Sequence, residues 1–345
     1  MFKLAHKSIL TLASVGVLAA ASVPVQAADK IKLRVADSLP VGHFFAEYAT
    51  KYWMEEVSKQ TDGRVSFDYF PAEQLGKSKD LLALTQSGVA DVAYVVPSYV
   101  SDKMPLSSVA ELPGNFADSC TATLAYLKLS QGDGILAEKE FAANGVRMLY
   151  AIVLPPYQVF TGKKELSDVK SIAGLKLRTA GGAMDATVKT FDGVPVRMAA
   201  PDLYESLARG TVDGMLFPYA SLISYDLPAI THYGTTGENF GSAVLTYLIS
   251  EKRWNELPEE VQNVMHEVGI KTTERACRLT DEDTEKDIET ISDAGVEFIT
   301  FDGDDRAVLD QGMQKVNEQW AEDLDARGWP GTEVLKAFQD ALADD

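Results

Sequence analysis

An arginine near the end of a predicted strand is a candidate for binding an anion. Residues 175–180 are β-prone and contain Arg178, and the turn that follows is Gly181-Gly182. A glycine-rich turn in front of a helix N-terminus favours negative charge, and a guanidinium can hold a carboxylate through two parallel hydrogen bonds. The alternative is that Arg178 pairs with an acidic residue of the fold, as Arg34 in a similar earlier strand would. Spacing alone does not separate the two arginines.

Motifs for covalent catalysis and metal binding do not stand out in the sequence. No Gly-x-Ser-x-Gly elbow occurs, and Gly76-Lys77-Ser78 lacks the upstream glycine of a phosphate-binding loop because Pro71 occupies that position. Three of the four histidines, His43, His232 and His266, are not at metal-ligand spacing and are more typical of structural or surface positions. We therefore expect no catalytic residues, no metal and no cofactor. An enzyme with acids assembled from distant positions stays open as an alternative.

The N-terminus predicts export from the cytoplasm. Lys3 and Lys7 precede an apolar stretch at 9–21, and small residues occupy the cleavage positions in 25–27. This order is typical of a secretory signal peptide, here 1–27. The alternative is a membrane anchor, but the apolar stretch is too short for a bilayer core of ~30 Å. We expect a periplasmic protein.

Composition excludes several classes of protein. The chain has 345 residues, 46% of them hydrophobic, which suits two globular domains rather than a disordered chain. A net charge of −19 would repel phosphate backbones, so we expect no nucleic-acid partner. Two cysteines cannot form a disulfide scaffold or a four-thiolate zinc site. In an oxidising compartment Cys120 and Cys277 either form one disulfide or are two unrelated buried side chains.

Strand and helix signals alternate in two similar units, which predicts an α/β fold. Strands are expected at 31–36, 65–70 and 92–96 in the first unit, and at 175–180, 194–198 and 212–217 in the second. Lys-Leu-Arg recurs in the first strand of each unit. The spacing of an acid, a glycine and a second acid also recurs, as Asp80, Gly88, Asp91 and as Asp202, Gly210, Asp213. Two related units or two unrelated ones predict the same fold class.

Two segments are predicted to cross between the units. Residues 147–160 form a strand interrupted by Pro155-Pro156, and residues 241–250 are apolar and β-prone. A long helix is expected from about Pro258 to about residue 293. Parallel α/β units bind ligands at the carboxyl ends of their strands, so two facing units would enclose a cleft. Several crossings would let such lobes close without twisting freely.

The chain resembles the solute-binding proteins of tripartite ATP-independent periplasmic (TRAP) transporters. The motifs that carry the resemblance are Gly174-Leu175-Lys176-Leu177-Arg178, Val194-Pro195-Val196, LYESLARGTVDG at 203–214, Glu73-Gln74-Leu75-Gly76 and Trp254-Asn255-Glu256-Leu257-Pro258. The resemblance implies a type II-like periplasmic binding protein fold, with two lobes joined by crossing strands and a long helix. We expect one lobe from 28–150 plus about 241–280, and the other from about 151–240 plus 281–345.

By this resemblance, Arg178 is the arginine that binds the ligand carboxylate. Many members have an asparagine where this chain has Phe217, and another arginine near Tyr157-Gln158. These departures suggest a ligand with one carboxylate at Arg178 and an apolar or aromatic portion against Phe217, Tyr219 and Tyr157. The alternative is that Phe217 belongs to the core. Candidates from the first lobe are Phe44, Glu73, Tyr94 and Tyr99.

The resulting hypothesis is a periplasmic subunit that captures a small organic acid by lobe closure and delivers it to membrane permease subunits. It needs neither ATP nor a covalent step. Two alternatives are a secreted enzyme that uses the same cleft and a sensory receptor subunit that signals when it binds a ligand. The sequence does not separate uptake from sensing, because both require the same cleft.

Overall fold

A computed structural model of the chain describes residues 29–344, which form two sheets with helices around them. The predicted signal peptide 1–27 lies outside the described residues. Within the described part, no helix is both long and apolar enough to cross a membrane.

The first sheet has five strands in the order β2-β1-β3-β10-β4. Its strands are β1 (Ile31–Ala36), β2 (Val65–Phe70), β3 (Val92–Val95), β4 (Val146–Val153) and β10 (Val244–Ser250). β1 is parallel to β2 and β3, whereas β10 is antiparallel to β3 and β4. The helices that accompany this sheet are α1 (Lys51–Gln60), α2 (Leu81–Gln86), α3 (Ser119–Ser130) and α7 (Glu251–Asn255).

The second sheet has six strands in the order β11-β9-β5-β8-β6-β7. Its strands are β5 (Gln158–Thr161), β6 (Lys176–Thr179), β7 (Val194–Arg197), β8 (Gly214–Phe217), β9 (Tyr233–Thr235) and β11 (Glu297–Ile299). β6 is parallel to β7 and β8, and β5 runs antiparallel beside β8. Its helices are α4 (Ala183–Thr190), α5 (Leu203–Ala208) and α6 (Tyr219–Ser224). The arrangement β7-β6-β8-β5 therefore repeats β2-β1-β3-β10.

The repeat is real, but its predicted alignment is wrong by two residues. The acid that enters the third strand accepts a hydrogen bond from the first strand in each unit: Asp91 from the Arg34 N–H (2.8 Å) and Asp213 from the Lys176 N–H (2.9 Å). Arg34 thus corresponds to Lys176, not to Arg178. The Arg34 side chain also pairs with Asp91, Nε to Oδ2 at 3.0 Å, as the alternative for that residue supposed.

Arg178 instead corresponds to Ala36, the last residue of β1. Arg178 is opposite Met215 in the strand pairing, as Ala36 is opposite Ala93. Side chains alternate along a strand, so a shift of two residues keeps every side chain on its face, and the hydrophobic pattern cannot detect it. The consequence is that Arg178 lies at the carboxyl end of its strand, where ligands of parallel units bind.

Three segments join the lobes. The chain passes from β4 to β5 through Pro155-Pro156, and it returns from β9 to β10. The third is α8 (Glu259–Asp293), a helix of 35 residues that packs against α1, α3 and β4 of the first lobe and against α6 of the second. It leads into β11 in the second sheet. The two-lobed fold with crossing strands and a long helix is as predicted.

The C-terminal helices bridge the lobes further. α9 (Gly303–Ala326) packs on α4 of the second lobe, whereas α10 (Gly331–Ala343) packs on α3 and on the 3-10 turn Leu106–Glu111 of the first. The predicted lobe ranges stay a prediction. α10, which was predicted to belong to the second lobe, packs against α9 as well as against α3 of the first lobe.

Cys120 and Cys277 form a disulfide, which decides between the two alternatives that the sequence left open. Cys120 lies in the first turn of α3 and Cys277 near the middle of α8. Close by, Asp281 of α8 accepts hydrogen bonds from the N–H groups of Ser119 and Cys120, both at 2.8 Å. The start of α3 is therefore fixed to the long helix by one covalent bond and one carboxylate.

We predict that replacing Cys120 and Cys277 together with alanine lowers the free energy of unfolding by about 2–4 kcal/mol, because the unfolded chain loses a constraint across a separation of 157 residues. Urea unfolding of both proteins measures this. A reductant should destabilise the wild type by a similar amount and leave the variant unchanged. Equal stability of the wild type and the variant in the absence of reductant would contradict the prediction.

Candidate ligand-binding site

A narrow cavity lies between the facing lobes. From the first lobe and its crossings it is lined by His43, Tyr94, Val96, Tyr99, Leu154, Ala243 and Leu245. From the second lobe it is lined by Tyr157, Arg178, Ala180, Ala200, Phe217, Ser221 and Tyr225. A small molecule held there would contact both lobes.

Arg178 supplies the positive charge of this cavity, although its side chain is only 1% exposed. Its Nε donates to the backbone oxygen of Met198 at 3.0 Å, and its Nη2 donates to the hydroxyl of Tyr99 at 3.2 Å. Among the residues that the structure describes, no aspartate or glutamate forms an ion pair with it. A buried charge without a counter-charge is strongly destabilising. The described residues therefore leave the charge of Arg178 without a counter-charge.

Two donors of the second lobe, one from Arg178 and one from Ala200, point to the hydroxyl oxygen of Tyr99 in the first lobe. This oxygen accepts hydrogen bonds from the Arg178 guanidinium and from the Ala200 N–H at 3.0 Å. The other terminal nitrogen of Arg178 has no hydrogen-bond partner within residues 29–344. The guanidinium can thus accommodate another oxygen acceptor without giving up its bond to Met198.

Aromatic rings form the wall next to the guanidinium. The Cζ atom of Arg178 lies 5.3 Å from the ring centroid of Phe217. Tyr157 and Tyr225 each meet Phe217 edge to face, with centroids 6.1 and 5.8 Å away. Such a wall suits an apolar or aromatic group beside the charge.

Three phenol groups of the cavity carry unused hydrogen-bonding capacity. The hydroxyls of Tyr94, Tyr157 and Tyr225 have no hydrogen-bond partner in the described part of the chain. Burial raises the pKa of all three, and the charge of Arg178 lowers the pKa of Tyr157 and Tyr225 only part of the way back. They stay protonated and are available to a ligand as neutral donors and acceptors.

Five residues predicted from the sequence meet in this cavity: Arg178, Phe217, Tyr157, Tyr94 and Tyr99. Sequence reasoning did not select three other lining residues, His43, Ser221 and Tyr225. His43 appeared only as an isolated histidine. Ser221 and Tyr225 sit one helical turn apart in and just after α6, a spacing that would have indicated a shared face if the helix had been expected there.

Two further predicted residues, Gln158 and Tyr219, do not line this cavity. Gln158 is next to Tyr157 and so faces the opposite way along the strand; its Nε2 donates to the backbone oxygen of Glu238 at 2.6 Å. Tyr219 donates from its hydroxyl to Thr236 at 3.1 Å. Both line a separate groove near Pro155-Pro156.

The remaining two predicted residues are placed at the edge of the cleft. Glu73 forms an ion pair with Lys77 and accepts a hydrogen bond from the Ser78 N–H at 3.0 Å, which leaves it structurally engaged. Phe44 stacks beside His43, with ring centroids 4.7 Å apart, but it does not line the cavity.

The lobes also touch at the glycine turn after β6. A Cβ atom at Gly182, where φ is +57°, would lie 2.9 Å from Ser108 Oγ and 3.3 Å from Glu111 Oε2 of the first lobe. Only glycine permits both that backbone conformation and this approach. Ser108 Oγ and Glu111 Oε2 are buried there with no hydrogen-bond partner in residues 29–344. Burial raises the pKa of Glu111 to about 7.

The family model described as "Bacterial extracellular solute-binding protein, family 7" matches residues 35–323. The chain belongs to this family. It is 26% identical over 297 residues to the C4-dicarboxylate-binding periplasmic protein DctP of Rhodobacter capsulatus, an overlap that covers 84% of this chain and 85% of that protein. The resemblance to TRAP solute-binding proteins that the motifs indicated is thereby confirmed.

Solved structures of solute-binding proteins share the fold. A TRAP periplasmic solute-binding protein of Bordetella bronchiseptica with bound (R)- and (S)-mandelate superposes with a TM-score of 0.83 at 24% identity, covering 91% of this chain and 99% of that one. One from Rhodoferax ferrireducens, in complex with copurified benzoate, gives a TM-score of 0.84 at 21% identity and covers 91% and 98%. Both neighbours are described as TRAP solute-binding proteins.

We predict that Glu111→Gln flattens the pH dependence of stability in this solute-binding protein. The pKa of Glu111 is near 4.5 when unfolded and about 7 when folded, so its protonated form contributes stability that is lost as pH rises through 7. Between pH 5 and pH 8 the wild type should lose about 2–3 kcal/mol more than the variant, measured by urea unfolding at each pH. Parallel pH profiles would contradict the prediction.

Proposed function

We propose that this protein is the periplasmic solute-binding subunit of a TRAP transporter and that it captures a small organic acid with one carboxylate and an aromatic portion. Its membrane partners are the transporter's permease subunits, to which the closed, loaded form delivers the acid. The predicted signal peptide and the disulfide between Cys120 and Cys277 both suit an oxidising compartment outside the cytoplasm.

The observation that carries the proposal is the buried, unpaired guanidinium of Arg178. A carboxylate held by two of its nitrogens would provide the missing counter-charge, with charge-assisted hydrogen bonds worth roughly 1.5–3 kcal/mol each. The low polarity of the cavity strengthens this pair relative to the same pair in water.

The rest of the cavity favours one negative charge over two. Arg178 alone is cationic among the described residues that line it. A second carboxylate buried there would lack a counter-charge, which is costly. The dicarboxylates named for DctP of Rhodobacter capsulatus therefore fit this cavity less well than the mandelate and benzoate held by the two structural neighbours. Both of those acids are aromatic monocarboxylates, as the ring of Phe217 beside Arg178 favours.

The mechanism is a shift between open and closed populations. Ligand bound to Arg178 of the second lobe and to tyrosines of the first makes contacts that only the closed form offers, so it stabilises closure. The crossings at Pro155-Pro156 and between β9 and β10 are the segments that would change conformation.

We predict that Arg178→Met abolishes the thermal stabilisation caused by benzoate or mandelate, because the carboxylate loses its counter-charge. In the wild type, acid at 100 times its Kd should add about 2.7 kcal/mol to the free energy of unfolding. Arg34→Met is the matched control: it removes an arginine at a similar sequence motif, but one paired with Asp91 outside the cavity. That variant should keep the full response, measured by melting temperature and by calorimetric titration.

Two results would contradict the proposal. One is stabilisation by these acids that survives in Arg178→Met. The other is a panel of carboxylates, aromatic and aliphatic, none of which stabilises the wild type. Recovery of chemically altered acid after incubation would favour an enzyme that uses the same cleft.

A further inference from the structure

We propose that His43 recognises a hydroxyl group on the aromatic ring of the ligand, at the end remote from its carboxylate, and so selects hydroxylated aromatic acids. This assignment rests on the proposed function, since it takes Arg178 as the site of the carboxylate. It concerns a first-lobe residue for which neither the motifs nor the family resemblance indicates a role.

The imidazole of His43 is held in one orientation and one protonation state. Its side chain is 2% exposed and lines the cavity. Its Nδ1 accepts a hydrogen bond from the Phe45 N–H at 3.2 Å. Burial lowers its pKa to about 3, so the ring is neutral at physiological pH. With Nδ1 acting as acceptor, the proton is on Nε2.

That Nε2–H group has no partner in the protein. No described residue accepts a hydrogen bond from it, and it is not among the fully enclosed polar atoms without a partner. It is therefore an unpartnered donor with some accessible surface, on a residue that lines the cavity. When the lobes close and exclude water, a ligand without an acceptor at this place leaves the donor unpaired, which weakens binding.

The order of contacts along the wall sets the position of this donor relative to the charge. Arg178 lies over Phe217, Phe217 meets Tyr225 edge to face, and Tyr225 meets His43 edge to face with centroids 5.5 Å apart. Two rings thus separate the guanidinium from the imidazole. An arene with a carboxylate at one end and an oxygen substituent at the other would match this order. Its carboxylate would lie at Arg178, its ring along the aromatic wall and its oxygen at His43.

Because the imidazole of His43 is a neutral donor, it favours a neutral substituent on the aromatic ring of the ligand. A neutral imidazole offers a hydrogen bond without charge, so it does not compensate a second carboxylate. A phenolic hydroxyl can accept from Nε2–H and donate to an unused oxygen such as that of Tyr94, which lines the same cavity without a partner. A plain benzoate ring can satisfy neither group.

The test is calorimetric titration of the wild-type protein with benzoate and with ortho-, meta- and para-hydroxybenzoate. We expect at least one hydroxylated isomer to bind about tenfold or more tightly than benzoate. In His43→Asn this preference should fall to within about threefold, because the affinity for the hydroxylated isomer falls more than the affinity for benzoate.

The variants are chosen to separate recognition from folding. Asparagine places its oxygen where Nδ1 was, so it can still accept from the Phe45 N–H, but it lacks a donor at the Nε2 position. Glutamine can place its amide nitrogen near that position, so His43→Gln should restore part of the preference. The melting temperature of each variant without ligand shows whether it is folded.

The outcomes distinguish this assignment from the proposed function. Equal affinity of the wild type for benzoate and all three isomers overturns the role of His43, even if Arg178→Met abolishes benzoate binding. A preference that survives in His43→Asn also overturns it, as does an equal loss of affinity for every acid, which would indicate a role in shape alone. If no acid of the series binds to the wild type, both proposals fail.

Discussion

The buried guanidinium of Arg178 is the feature on which the rest of the structure depends. At 1% exposure and without an acidic partner in the described chain, its burial costs free energy, and under the proposed function a bound anion offsets that cost. A backbone carbonyl and the ring of Phe217 contact the guanidinium. The net negative charge of the chain would repel large polyanions, which is consistent with the small anion of the proposed function.

The two related units explain why the charge is at the cleft. Each unit ends its first strand at the cleft, and the position that holds Ala36 in the first unit holds Arg178 in the second. The first lobe contributes phenol hydroxyls and an imidazole to the cavity, and it packs Ser108 and Glu111 against Gly182 of the second lobe. Under the proposed function, the second lobe carries the charge and both lobes contribute polar groups, so a bound ligand would contact both lobes.

Much of the architecture was predictable from local pattern. Alternating strand and helix signals, the prolines at 155 and 156 and the uninterrupted periodicity after Pro258 predicted both lobes, a crossing and the long helix. The register of the repeat was not predictable, because a two-residue shift leaves the hydrophobic pattern unchanged. Within the site, Arg178 was a candidate from its strand-turn-helix context, but only the resemblance to TRAP solute-binding proteins separated it from Arg34. His43 was not a candidate, because its role depends on an imidazole nitrogen whose partners are set by tertiary packing. Gln158 and Tyr219 were predicted to line the cavity but do not, because nearness in sequence to a lining residue does not place a side chain in the cavity.

The most direct test of the central claim is a crystal structure of the protein with an aromatic acid bound. The account predicts a closed form in which both carboxylate oxygens lie about 2.7–2.9 Å from nitrogens of Arg178, with the ring against Phe217. A guanidinium turned away from the bound molecule, or a tightly bound molecule that carries no negative group, would contradict it.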